Sequence, residues 1–174
     1  KKEEVRKRIE EELRRLKKDH RRLDEEIKRK LKKLDEEIKE VHERLKKAAR
    51  DLEDEARRNG KRDDKLTEEI KEIIRRNKKN VDDLRRELKR IDEELKKESE
   101  KLERKADEIE ERLRRREQTK EVEKDVEDLL KELEDDSRRL EEEVERLIER
   151  VKRHVERDER RVREMLREIK EKIK

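Results

Sequence analysis

The sequence predicts an all-α protein: a single-chain, up-down-up antiparallel bundle of three long, nearly straight helices. Two observations predict it, namely an 18-residue apolar repeat with spacings of 4, 4, 3, 4 and 3, and two breaks in that repeat near residues 60 and 118. Eighteen residues in five turns give 3.6 residues per turn, which is the period of a straight α-helix, whereas a heptad repeat would impose a supercoil. Three separate stripes of this kind therefore indicate three helices, each with one apolar face.

The first helix is expected over about residues 2–58. The break that follows it contains Asn59 and Gly60, which tolerate the left-handed conformation that closes a helix, and Asp63 or Asp64 can cap the next helix. The stripe of the first helix reads Val5, Ile9, Leu13, Leu16, His20, Leu23, Ile27, Leu31, Leu34, Ile38, Val41, Leu45, Ala49, Leu52 and Ala56.

The second helix is expected over about residues 63–116 and follows the same cycle in another phase. The break after it lacks Gly and Pro, so the evidence is the phase: the nine residues from Leu113 to Val122 turn through about 900°, which would put the stripes of one continuous helix on opposite sides. Thr119 is the expected cap of the third helix. The stripe of the second helix reads Leu66, Ile70, Ile73, Asn77, Val81, Leu84, Leu88, Ile91, Leu95, Ser99, Leu102, Ala106, Ile109 and Leu113.

The third helix is expected over about residues 119–173. Because short connections make neighbouring helices antiparallel, the whole chain, residues 1–174, is expected to form one domain. The stripe of the third helix reads Val122, Val126, Leu130, Leu133, Ser137, Leu140, Val144, Ile148, Val151, Val155, Asp158, Val162, Leu166, Ile169 and Ile173.

The composition excludes several classes of function. Of the 174 residues 68% are charged, but Lys and Arg (61) nearly balance Asp and Glu (57) and the two signs alternate along the helices, so there is no basic patch for nucleic acid. The chain has no aromatic residue to stack on bases and no Cys for disulfides or thiolate sites. No apolar run approaches the ~18 residues of a membrane span. We expect a soluble protein without a cofactor, a nucleic-acid partner or a membrane partner, whose compartment the sequence does not encode.

The polar residues inside the stripes form the candidate site. If the chain folds back between Asn59 and Gly60 and again near Gln118, the rise per residue of a helix places these polar residues at two levels along the bundle axis. Buried polar groups cost free energy when they are unpaired, so three at one height make sense if they supply each other's hydrogen bonds and thereby fix the alignment of the helices. The two predicted layers are His20, Ser99 and Ser137, and His42, Asn77 and Asp158.

Two more specific functions of these residues, a catalytic site and a metal site, are less well supported by the sequence. A Ser-His-Asp catalytic site is disfavoured because Asp158 is expected about 30 Å from His20 and nothing suggests an oxyanion hole. A metal site is the second alternative, since His154 and Asp158 are spaced i, i+4 and His42 is expected near the same height. Burial among hydroxyl groups should also lower the pKa of His20.

The 18-residue stripe, the charged surface exemplified by residues 28–33, the Asn59-Gly60 turn and the polar layers resemble computationally designed helical bundles with buried hydrogen-bond networks. The resemblance covers the whole chain and implies a very stable scaffold with no natural ligand and no enzymatic activity. It implies a monomer without partners. The alternative is a binding or assembly module that forms a homo-oligomer through apolar residues outside the stripe, although these residues are also explained as sealing the edges of the core. They are Ile74, Leu129, Leu147 and Met165.

Overall fold

Three α-helices make up nearly all of the computed structural model, which describes residues 2–61, 63–115 and 120–174, without the side chains of residues 2 and 122. They are α1 (Lys2–Arg58), α2 (Asp64–Arg114) and α3 (Lys120–Ile173). The described ranges contain no strand, and the predicted all-α three-helix bundle is confirmed. The second turn, including the expected cap Thr119, lies outside the described residues.

Contacts divide the chain into two compact units, each with a segment of all three helices. Unit 1 comprises Lys1–Lys30 and Ile91–Leu147, and unit 2 comprises Leu31–Arg90 and Ile148–Lys174. The expectation that residues 1–174 form one domain stays a prediction. Since the two polar layers fall into different units, each unit is described by itself below.

In unit 1, α1 and α2 are antiparallel, because Lys17 pairs with Glu110 while Asp24, further along α1, accepts a hydrogen bond from Ser99, earlier on α2. Segments of α1 and α3 run parallel, as their ion pairs show: Arg8–Glu127 at 2.7 Å and Lys30–Glu145 at 3.6 Å. The apolar stripe forms the core, with these residues buried: Ile9, Leu13, Ile27, Ile91, Leu95, Leu102, Ala106, Ile109, Leu113, Val126, Leu130, Leu133, Leu140 and Val144.

In unit 2, α2 is antiparallel to α1. Asp35 of α1 accepts a hydrogen bond at 2.8 Å from Arg85, whereas His42, further along α1, contacts Asn77, earlier on α2. The core again follows the stripe, and one cluster of buried residues in it is Val41, Leu45, Ala49, Leu52, Ala56, Ile70, Ile73, Val162, Leu166, Ile169 and Ile173. No large apolar side chain is exposed in the part of the chain that the structure describes.

The first turn closes α1 in the way that its sequence predicts. Gly60 has a φ of +66°, its N–H donates to the carbonyl of Arg57, and the N–H of Lys61 donates to the carbonyl of Ala56 at 2.9 Å. These two bonds form a Schellman motif, in which a glycine in the left-handed region satisfies the last carbonyls of a helix. Arg62, in the same turn, is outside the described residues.

The cap of α2 is Asp63. Its carboxylate accepts a hydrogen bond from the N–H of Leu66 at 2.6 Å, and its carbonyl accepts one from the N–H of Thr67 at 3.2 Å. An N-cap carboxylate thus satisfies one of the amide groups that have no partner within the helix. None of the helices, over their described residues, combines the length and the apolar character needed to cross a membrane.

We expect Asp63→Ala to lower the free energy of unfolding by about 1 kcal/mol, because the N–H of Leu66 loses its side-chain acceptor. Asp63→Asn is the matched control, since its side-chain oxygen still accepts this bond and should retain most of the stability. Urea denaturation followed by circular dichroism measures both variants. Equal losses in the two variants would contradict the role of Asp63 as a hydrogen-bonding cap.

Candidate functional site

The six polar residues of the predicted layers differ in burial. Asn77, His42 and Ser99 are buried, with 1%, 8% and 8% of their surfaces exposed. Asp158 and the two remaining residues, His20 and Ser137, are half-buried. Unit 1 holds His20, Ser99 and Ser137, and unit 2 holds His42, Asn77 and Asp158.

In unit 2 the layer is one continuous chain of hydrogen bonds across three helices. Asn77 of α2 lies between the other two residues: its Oδ1 is 2.5 Å from Nδ1 of His42 on α1, and its Nδ2 donates to Oδ2 of Asp158 on α3 at 2.6 Å. This is the order of contacts that helix rise predicts. Each polar group of the Asn77 side chain therefore has a partner, as a fully buried amide requires.

Asn80 belongs to the same network, although the sequence analysis did not include it. Its Nδ2 donates to Oδ1 of Asp158 at 2.9 Å, so both oxygens of that carboxylate accept a hydrogen bond. The signal was present in the sequence, because Asn80 follows Asn77 by three residues and hence lies on the same face of α2. It was missed because Asn80 is not a stripe residue and is exposed.

Asp158 fixes the direction of the whole chain of hydrogen bonds. An ionised carboxylate only accepts hydrogen bonds, so the NH₂ group of Asn77 must face Asp158 and its carbonyl oxygen must face His42. Nδ1 of His42 must then carry a proton in order to donate to that oxygen. The layer thus selects one tautomer of an imidazole through an amide, without direct contact between His42 and a carboxylate.

In unit 1 the predicted mutual hydrogen bonds are wrong. The Ser99 hydroxyl donates to Oδ1 of Asp24 at 3.3 Å, and both ring nitrogens of His20 are buried without a partner. No hydrogen bond between described residues joins Ser99, His20 and Ser137 to one another. An ionised carboxylate is a stronger acceptor than a hydroxyl group, so Ser99 pairs with Asp24 beside the stripe.

Burial lowers the pKa of His20 below the ordinary value of 6.5, whereas the nearby carboxylates of Asp24 and Glu103 raise it by less. This is the direction that the sequence predicts, although the neighbouring groups that act on the ring are carboxylates and not hydroxyl groups. Neutral imidazole is the form favoured here because the charged form loses its hydration on burial.

Neither unit, taken by itself, forms the interactions of a serine nucleophile. Such a nucleophile needs its hydroxyl within hydrogen-bond reach of an imidazole, but the Ser99 hydroxyl donates to Asp24. In unit 2, Asp158 contacts amides and not His42. Among the described residues, neither Ser99 nor Asp158 is hydrogen-bonded to an imidazole.

The proposed metal ligands do not come together. His154 is exposed whereas His42 is buried, and Asp158 already accepts two amide hydrogen bonds. Among the described residues there is no group of three His, Cys, Asp or Glu side chains that could hold a metal ion. The alternative of a metal site at His42, His154 and Asp158 is therefore not supported, because the side chain of His154, beside stripe residue Val155, is exposed to solvent.

We expect Asp158→Ala to lower the free energy of unfolding by about 1–3 kcal/mol, because the buried NH₂ group of Asn77 loses its acceptor. In an Asn77→Leu background the same change should cost less, since no buried amide is then left unpaired. Asp158→Asn keeps an acceptor oxygen and is the control. Denaturation of all four variants measures the coupling. Equal costs of Asp158→Ala in both backgrounds would contradict the hydrogen-bonded layer.

We expect His20→Ile to raise the free energy of unfolding by about 1–3 kcal/mol at neutral pH, because it removes two unpaired buried nitrogens. The unfolded chain binds a proton at His20 near pH 6.5, whereas the folded chain binds it only at lower pH. The stability of the unmodified chain, relative to His20→Ile, should therefore decrease as the pH is lowered through 6.5. Urea denaturation across this range measures the difference. A constant difference would show that the pKa of His20 is not lowered.

The chain matches no protein-family model, and comparison with curated proteins and with solved structures finds no similar chain. The geometry of the two polar layers, the buried stripes and the charged surface therefore carries the inference about function.

Proposed function

We propose that this chain is a structural scaffold whose purpose is its own fold. The observation that carries the proposal is the division of residues between core and surface. The stripe residues with described side chains are buried or half-buried, and no large apolar residue in the described ranges is exposed. A protein that recognises a partner through an apolar patch would present such residues on its surface.

The charged surface supports the same proposal. Its ion pairs mostly join residues three or four positions apart on one helix, as in Arg163–Glu159 at 3.0 Å and Lys39–Asp35 at 3.5 Å. Such pairs support the helix on which they lie and leave no large region of one sign. A surface of this kind favours solubility and does not favour nucleic acid as a partner.

The regularity of the chain supports a designed origin. Three segments repeat one 18-residue cycle, and the first turn combines a Schellman glycine with an aspartate cap. Local signals, the apolar pattern and the hydrogen-bonded layer of unit 2 agree on one fold, as in sequences chosen for a given backbone. The proposal includes neither enzymatic activity nor a cofactor, because Asn77, Asp158 and Ser99 already form hydrogen bonds with neighbouring side chains.

The apolar residues outside the stripe decide between a monomer and the alternative, an assembly module. Ile74 and Met165 are partly buried and pack against the core of unit 2. Leu129 and Leu147 are half-buried in unit 1. All four side chains are therefore partly covered by the chain itself, which supports edge sealing and a monomer.

We expect light scattering on a size-exclusion peak to give the monomer mass of 21.9 kDa, independent of protein concentration. Replacing Leu129, Leu147 and Met165 together by Gln should lower stability without changing the mass, because each loses apolar contacts in its own unit. The matched control replaces three exposed residues of α3 by Gln: Lys131, Arg150 and Arg167. A dimer or larger species that the first set dissociates and the control set does not would replace the scaffold proposal by the assembly module.

A further inference from the structure

Unit 1 contains a cavity of about 160 Å³ beside His20. Leu16, Leu102 and Leu133 supply apolar walls, and His20 and Ser137 supply polar groups. The cavity is open to solvent on one side, where charged residues line it. Its volume is similar to that of closed apolar cavities of about 150 Å³ that bind benzene, so it is large enough for a six-membered ring.

The cavity exists because three positions of the 18-residue repeat carry small or polar residues at one level. Ala106 has three carbon atoms fewer than leucine, and His20 and Ser137 replace aliphatic residues. The residues 18 positions away in the repeat are larger or apolar: Leu88, Ile38 and Val155, respectively. A larger aliphatic residue in place of Ala106 or Ser137 should therefore fill the cavity, because equivalent positions of the repeat carry such residues.

His20 gives the cavity an unmet requirement for a hydrogen bond. It lines the cavity, and both of its ring nitrogens are buried without a hydrogen-bond partner. A half-turn about the Cβ–Cγ bond exchanges the nitrogen and carbon positions of an imidazole, and this torsion has two broadly equivalent orientations. The turned ring would direct its nitrogens towards an occupant of the cavity.

The charges on the solvent side of the cavity are balanced. Lys17 and Arg21 are cationic, Glu103 and Asp107 are anionic, and Lys17 lies 3.7 Å from Asp107. Neither sign is in excess, which disfavours a charged occupant. Burial also keeps His20 neutral, so the ring has one donor and one acceptor nitrogen, and a hydroxyl group pairs with either.

We propose that this cavity binds a small, neutral ring compound with one hydroxyl group, and that the turned imidazole of His20 pairs with that hydroxyl. The leucine walls contact the ring of the occupant, and Ala106 provides the space for it. This binding site lies beyond the scaffold function and does not depend on it.

Phenol is the probe, and the three histidines provide internal controls. In protein labelled with ¹⁵N in its histidine rings, phenol should shift the His20 nitrogen signals with saturation. The signals of His42, buried in unit 2, and of His154, exposed on α3, should stay constant. Toluene has a similar size without the hydroxyl group, so it should bind roughly threefold to tenfold more weakly and leave the His20 nitrogens unshifted.

Two variants fill the cavity from different helices. Ala106→Leu restores the residue found at Leu88, and Ser137→Ile introduces the residue found at Ile173, which is 36 positions further along the repeat. Each should abolish the saturable phenol shift while helicity by circular dichroism stays unchanged. If one variant fails to fold, the other keeps the test decisive.

Several outcomes would overturn the proposal. These are the absence of a saturable shift at His20, equal shifts at all three histidines, and unchanged phenol binding in a folded cavity-filling variant. Toluene binding as tightly as phenol would remove His20 from the site.

Discussion

Both units depend on the burial of a narrow apolar stripe on each helix. Because only 25% of the residues are hydrophobic, nearly every aliphatic side chain must lie inside for the chain to offset the entropy lost on ordering. Residues such as Leu45, Ile109 and Val151 are completely covered or nearly so. The charged surface residues then serve mainly to keep each helix soluble and to disfavour arrangements in which other faces of the helices are buried.

The two polar layers meet this constraint in opposite ways. In unit 2, Asn77 satisfies both of its polar atoms within the layer, and a shift of one helix along another would leave it against aliphatic groups. In unit 1, the Ser99 hydroxyl donates a hydrogen bond to Asp24, and His20 has two unpaired ring nitrogens and lies beside a cavity. A paired layer specifies register at little cost, whereas an unpaired one lowers stability and leaves room for an occupant.

Much of this architecture is predictable from the sequence, because it rests on local rules. The period of the stripe predicts the helices, the Asn59-Gly60 pair predicts the first turn, and aspartate predicts the cap of α2. Helix rise also predicts that Asn77 lies between His42 and Asp158, since heights follow from residue numbers alone.

Height does not determine which atoms pair, and this is where the predictions for unit 1 were wrong. The Ser99 hydroxyl donates to the carboxylate of Asp24, because a charged acceptor is stronger than the other hydroxyl group of the predicted layer. Asp24 and Asn80 lie beside the stripes, so the pattern of stripe residues does not predict their hydrogen bonds. The cavity likewise depends on the summed side-chain volumes from three helices, which no single stripe reveals.

The layer in unit 2 behaves as a row of dipoles joined head to tail, anchored at one end by the charge of Asp158. Of the two senses in which an amide and an imidazole could line up, a charged anchor allows one. If the side chain at position 158 could also donate, as that of asparagine can, the amide of Asn77 could turn over, and Nδ1 of His42 would then have to accept a hydrogen bond, with the ring proton on Nε2. The negative charge on α3 thus decides which nitrogen of a ring on α1 carries the proton, and the buried amide of α2 transmits that choice from one helix to the other.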